Sequence, residues 1–475
     1  MTGAALGIDV GTGSTKAALV DRSGTVVAIG RAPHPITTPR FGWSETAPAA
    51  WLTSTRVAVS QVLSAAGRPE VSVIGLSGQM HGVVLCARDG TPIRDAVLWS
   101  DQRAQADISR LRSELEPLAP ILGNPVVAGT AGPTIASLRR SEPDSLRRTT
   151  WALQPKDWLR FQLTGEVATD PSDASATLLW DLPADRWSDE ACAAFGVERA
   201  WLPPVRPSGA EAGRLTADGA ALLGLGSGIA VASGAADTAA ALFGSGVAVG
   251  EAQVSTGTGA QIARVLDRPA LDPHRCTHLY RAAQPGRWYA MAAMQNAGIA
   301  VDWALRILGI DLEQAEAGFE ATPAGSHGVV FVPYLTGERT PHLDAALTAQ
   351  WSGLSSRTTR DDLIRAVFEG VACSIRDGLD ALRDAGHDID RALLAGGGST
   401  AVWWRQLLAD VLAIPLVPHD SVDASARGAA LLGLRCIGHG VDPSAAVTRS
   451  APIEPRTDHT ALLRRYRDLV GAIVG

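Results

Sequence analysis

The chain has 475 residues, 46% of them hydrophobic, and a formal net charge of −7. That length predicts two or three domains with substantial cores, and the acidic balance gives no electrostatic footprint for nucleic acid or an anionic membrane. The five cysteines, Cys86, Cys192, Cys276, Cys373 and Cys436, show no metal-ligand or paired spacing, which predicts a reducing, cytoplasmic setting.

The N-terminus runs almost directly into a β-type pattern, with no basic-then-apolar leader. Gly7-Ile8-Asp9-Val10-Gly11-Thr12-Gly13-Ser14-Thr15-Lys16 places a carboxylate near the end of one strand and a turn of small residues before the next. Gly11 and Gly13 let backbone approach a bulky anion, while Thr12, Ser14 and Thr15 add hydroxyl donors. Asp9 cannot bind phosphate itself but can hold a cation or a water beside one. The dinucleotide and Walker A patterns are both absent, and the order is strand, turn, strand rather than strand, turn, helix. The segment therefore reads either as a phosphate-handling hairpin or as an ordinary Gly-rich one.

A third strand is expected over 25–31, then a loop with Trp43 that could face a sugar or pack at a domain edge. Helical spacing follows from Trp51 to Leu63, then a central strand over 71–76. Polar groups just past the end of such a strand are well placed for ligands, which singles out Gln79 and His81. Trp99, beside Asp101 and Arg103, is an aromatic candidate for the same side. Lys156 and Asp157 open a helix, and Asp170 and Asp173 have the spacing of site carboxylates or, more simply, of helix caps. The Pro/Gly-rich passage 202–213 is the candidate domain transition.

Asp237 interrupts the otherwise uncharged run 228–250, where a carboxylate costs several kcal/mol unless hydrated, partnered or capping. It is the strongest local acid/base candidate, with a helix cap as the alternative. Ser255-Thr256-Gly257-Thr258-Gly259 then repeats the opening device between two strand-like segments, suggesting two related halves. A long amphipathic helix starts near Asp361. Gly396-Gly397-Gly398 sits at a strand-to-helix junction, where missing side chains permit close approach of a nucleotide or of neighbouring backbone.

Together these segments resemble the FGGY carbohydrate kinases over nearly the whole chain. The resemblance is carried by 7–16, Ser77-Gly78-Gln79-Met80-His81-Gly82, Pro155-Lys156-Asp157-Trp158-Leu159, 168–175, 333–342, Glu369-Gly370-Val371-Ala372 and the triple glycine. It implies an α/β fold of two ribonuclease H-like, actin-like ATPase domains around an active-site cleft. Residues 1–226 would form the sugar-binding domain and 227–475 the nucleotide-binding domain, the final helix being free to pack back on the first.

It also implies roles. Asp237 matches the catalytic base, and Met80 and His81 match positions on the sugar side, where Trp99 is the further candidate from its own local cluster. Gly11, Thr12, Gly13, Ser14, Thr256, Gly257 and Thr258 match phosphate-side positions. Gly397 and Gly398 match the adenosine side, and Asp9 matches the position near Mg²⁺, direct or through water. The implied reaction is ATP-dependent phosphorylation of D-xylulose at its C5 hydroxyl. Another ketose or a polyol (D-ribulose, L-xylulose, an arabinitol) is the nearest alternative, and a nucleotide-dependent binding protein without kinase activity is the distant one. Monomer and homodimer are equally compatible. Two departures stand out: Ala236-Asp237-Thr238 replaces the usual Gly-Asp-Asn, and Ala345-Ala346-Leu347 lacks the basic, Gly-containing form.

Overall fold

The computed structural model describes residues 3–396 and 400–474. The first half builds a sheet from β1 (Ala4–Val10), β2 (Ser14–Val20), β3 (Val26–Pro33), β4 (Val71–Gly78), β5 (Glu211–Arg214), β6 (Ala230–Ala232) and β7 (Ala235–Ala236). Strand order is β5-β6-β4-β1-β2-β3, with β7 also on β4. The second half builds one from β8 (Ala252–Thr256), β9 (Ala260–Leu266), β10 (His278–Arg281), β11 (Trp288–Met294), β12 (Ala392–Ala395) and β13 (Leu416–Pro418), in the order β10-β11-β9-β8-β12-β13.

The two sheets repeat each other. In each, a hairpin and a third antiparallel strand lie on one side of the first strand, and two parallel strands on the other. The short likeness between the turns after β1 and β8 is thus the visible trace of a repeated topology.

Six helices matter for the site: α1 (Pro48–Ala65), α2 (Pro155–Thr164), α3 (Asp237–Gly244), α4 (Arg360–Asp384), α5 (Ala424–Cys436) and α6 (Thr460–Val474). Side-chain alternation on β1 decides what each face does. Leu6, Ile8 and Val10 enter the core under α1, while Ala5, Gly7 and Asp9 face α5. β4 alternates likewise, with Ile74 and Leu76 on the α1 side and Val73, Gly75 and Ser77 on the other.

α5 lies on this second face at backbone contact. A Cβ on Gly75 would sit 1.7 Å from the Ala429 carbonyl oxygen, and one on Gly7 would sit 1.9 Å from that of Ala426. Gly75→Ala should therefore push α5 off the sheet and lower stability by about 1–3 kcal/mol or more, read as a lower midpoint in denaturant unfolding.

Two expectations change, and the place of the final helix, left open by the sequence, is answered. The passage 202–213 is not a domain transition, because it leads into β5, the edge strand of the first sheet. The first sheet also takes β6 and β7, so by strand pairing residues 230–236 lie with the first half, beyond a division at 226. The final helix packs on the second half. Tyr466 of α6 shares a hydrogen bond (2.9 Å) with Tyr334, and Arg467 pairs with Asp377 of α4. The helix that crosses back is α5. Among the described residues no helix is long and apolar enough to cross a membrane.

Candidate active site

β1 and β4 run parallel with Asp9 beside Ser77, so both side chains project toward the start of α5. Ser77 Oγ donates to Asp9 Oδ1 (2.7 Å) and Ser425 Oγ of α5 to Oδ2 (2.6 Å). A carboxylate offers about four lone-pair sites, so two bonds leave room for water or a cation. Next to it Lys16 reaches Asp423 at 2.8 Å.

The turn after β1 keeps its small residues open. Nothing lies within 4 Å of where a Gly13 side chain would stand. Gly11, Thr12, Gly13 and Ser14 line a cleft of about 400 Å³ together with Asp9, Lys16, Asp237, Thr238, Gln253, Ser255 and Ser425. The second turn, Thr256-Gly257-Thr258, follows directly on Ser255. Its Thr256 hydroxyl is buried with no hydrogen-bond partner among the described residues, a donor that a phosphate oxygen or a water would satisfy.

Gly397 and Gly398 lie outside the described residues. Gly396 is described, at φ +98°, and a Cβ there would meet the Thr256 carbonyl oxygen at 2.2 Å. The first glycine of the triplet thus serves approach of neighbouring backbone.

Asp237 is the first residue of α3, one position inside its N-cap. Its carboxylate accepts the Thr238 amide (2.6 Å) and, more weakly, the Thr238 hydroxyl (3.3 Å). Burial and then the Asp9 charge push its pKa up to about 7, against the Thr238 bonds and the Lys16 charge. A base poised near neutrality suits proton transfer. The rate with sugar should therefore rise with unit slope up to about pH 7 and level off above it. Lys16→Met, which removes the opposing positive charge, should move that limb to higher pH in the same pH–rate measurement.

The block 156–175 supports this residue from behind. Lys156 is fully buried, with its ammonium 2.7 Å from Asp157, 3.0 Å from Asp170 and 3.0 Å from Asp173. Burial opposes the charge, but the three carboxylates outweigh it and raise the Lys156 pKa. Asp170 caps the short helix Pro171–Ser175 and accepts the Ser172 hydroxyl (2.6 Å). Ser172 Oγ in turn accepts the Ala236 amide (2.9 Å), which fixes the backbone next to Asp237. Asp170 does cap a helix; Asp173 does not.

Met80, His81 and Trp99 form a wall beside the phosphate turn. Trp99 Nε1 donates to Thr12 Oγ1 (2.8 Å), and the Tyr289 hydroxyl donates to Met80 Sδ (3.6 Å). His81, at φ +68°, sets Nδ1 2.8 Å from the Ala176 carbonyl. A carbonyl only accepts, so Nδ1 carries the proton and Nε2 keeps its lone pair. Burial and then the Arg339 charge lower the His81 pKa to about 4, which keeps this acceptor neutral at physiological pH. Trp43 is not on the wall: it packs under the Arg103 guanidinium, 3.8 Å from its ring centre, while Arg103 pairs with Asp101 (2.8 Å).

Residues 4–244 match the FGGY family of carbohydrate kinases, N-terminal domain, and residues 252–436 match its C-terminal domain. The chain belongs to the FGGY carbohydrate kinase family. A Bacillus subtilis xylulose kinase is 31% identical over 433 residues, 90% of this chain and 87% of that protein. A solved structure described as a "xyloylose kinase" from Brucella ovis is 34% identical, with a TM-score of 0.91 over 99% of both chains. A gluconate kinase structure from Lactobacillus acidophilus, at 22% identity and a TM-score of 0.91 over 99% of this chain and 98% of its own, shares the fold. The actin-like, two-domain architecture of an FGGY kinase accordingly accounts for the duplicated sheets, and ATP is the phosphoryl donor of the family.

Sequence reasoning missed four groups around this kinase site. Ser425 carried no local signal, and Ser77 lay inside a recognised segment, but their role exists only once α5 and β4 meet Asp9. Gln253 reaches His419 (3.2 Å) and lines the cleft. Arg339 lay inside a recognised segment, yet nothing in its neighbours says that it crosses to Trp99.

Proposed function

We propose that this kinase transfers the γ-phosphoryl group of ATP to the C5 hydroxyl of D-xylulose, giving D-xylulose 5-phosphate and ADP. The observation that carries this reading is Asp237, tuned to about 7 in one cleft with Asp9 and the Gly11–Ser14 turn. The choice of sugar is supported by the relatives named xylulose kinase.

Phosphoryl transfer depends on positioning and charge compensation more than on a strong nucleophile. The open turns and hydroxyls of Thr12, Ser14 and Thr256 cradle phosphate oxygens. Asp9 fits Mg²⁺, which keeps most of its waters and takes one or two carboxylates plus phosphates. When bound, Mg²⁺ would neutralise charge on the β- and γ-phosphates. Asp237 accepts the proton of the attacking hydroxyl, and His81 Nε2 accepts from another hydroxyl of the sugar. Thr238, at the usual Asn position, gives its backbone amide and its hydroxyl to Asp237 and lines the same cleft, where the hydroxyl oxygen can still accept.

A coupled assay of ADP release across D-xylulose, D-ribulose, L-xylulose, D-arabinitol, glycerol and gluconate tests the assignment. Preference for D-xylulose by roughly tenfold or more is expected. Preference for another acceptor would replace the sugar, and ADP release that no sugar stimulates would overturn kinase activity itself.

A further inference from the structure

Arg339 reaches the first half from the loop after Tyr334 and places its guanidinium over the Trp99 ring, 5.2 Å from the centroid. Among the described residues no carboxylate pairs with it, and its one side-chain hydrogen bond is a long one, Nη2 to the Trp99 carbonyl (3.4 Å). The side chain is half-buried, and its remaining donors are uncommitted among the described residues.

The surrounding groups do not need it. The Tyr280 hydroxyl meets His278 Nδ1 (3.0 Å), the Trp99 indole is spent on Thr12, and His81 Nδ1 is spent on Ala176. Burial followed by the Arg339 charge holds both His81 and His278 neutral, at about 4 and about 3. The wall thus combines one neutral acceptor, His81 Nε2, with one charged group that can only donate.

The chemistry of the acceptor gives that combination a meaning. A 2-pentulose closes its five-membered ring through O5, so a sugar phosphorylated at O5 must enter in its open-chain form. Its C2 is then a ketone, whose oxygen accepts hydrogen bonds and cannot donate. An alditol of the same length has a hydroxyl there instead.

We infer that Arg339 is a specificity-determining residue, donating to the C2 carbonyl oxygen of an open-chain ketose and so separating ketoses from the corresponding alditols. This rests on the proposed pentulose kinase activity. The guanidinium stays protonated throughout, and no bond to it forms or breaks.

The test compares wild type, R339Q and R339K in kcat/KM for D-xylulose and in the inhibition constants of xylitol and D-arabinitol. R339Q is expected to lower kcat/KM for D-xylulose by roughly 10–100-fold, the range for losing a charged donor. The alditol inhibition constants should move by less than about threefold, so discrimination collapses, while KM for ATP stays near the wild-type value. R339K, which keeps a charged donor, should show an intermediate loss. Equal weakening of ketose and alditols, or no change in either, would overturn the inference. A wild-type enzyme inactive on every 2-ketose would instead refute the activity on which it rests.

Discussion

Asp237→Asn is expected to lower kcat for sugar phosphorylation by about 10²–10⁴-fold while leaving the dissociation constant for ATP within a small factor of wild type. Asparagine is nearly isosteric and can still accept the Thr238 amide, so the start of α3 should hold. It cannot take a proton from the attacking hydroxyl. It also removes one of two neighbouring carboxylates whose repulsion raises the Asp237 pKa, and that relief should favour nucleotide binding rather than hinder it. ATP affinity by calorimetry and single-turnover rates separate the two effects. Near-normal turnover in the variant would remove Asp237 from the base role.

The largest stability effect is expected behind the site. Lys156→Met should cost about 3–5 kcal/mol, the range for breaking a buried ion pair from one side. Its three partners are not equally exposed to the loss. Asp157 retains Arg160 (2.9 Å) and the Thr169 hydroxyl (2.6 Å), and Asp170 retains Ser172 and Ser208. Among the described residues the Asp173 carboxylate has no partner but the ammonium, at 3.0 Å.

Burial already raises the Asp173 pKa well above its ordinary value, opposed by Lys156 and reinforced by Asp170 and Asp157. A carboxyl whose folded pKa is raised favours folding most where it is protonated. The deficit of the variant should thus shrink as pH falls toward the unfolded carboxylate value of about 4 and grow as pH rises. Adding Asp173→Asn should restore part of the loss. Denaturant titrations at several pH values measure both trends. Because Asp170 and Ser172 hold the Ala236 amide, kcat should fall along with stability.

What could be read from the sequence follows the range of the interactions involved. The hairpin around Gly11–Ser14 is local: strand alternation, a tight turn and hydroxyls within ten residues specify it, and the structure builds it as expected. Its counterpart at Thr256–Thr258 was legible for the same reason. Asp237 stood out because a charge in an apolar run must be accounted for, and the cleft accounts for it.

What was misread or left open depends on distant packing. Composition marked 202–213 as a transition, but Pro and Gly also lead into edge strands, and only pairing with β6 shows which applies. The final amphipathic helix carries an apolar stripe without an address; Tyr334 supplies the address. Arg339 meets Trp99 across 240 positions of chain, a contact no local pattern encodes.

The most direct test of the account is the product itself. Wild-type enzyme, ATP and carbon-labelled D-xylulose should give one sugar phosphate, with phosphorus coupled to C5 in the NMR spectrum and ADP formed in equal amount. Phosphate on C1, or ADP without any sugar phosphate, would contradict it.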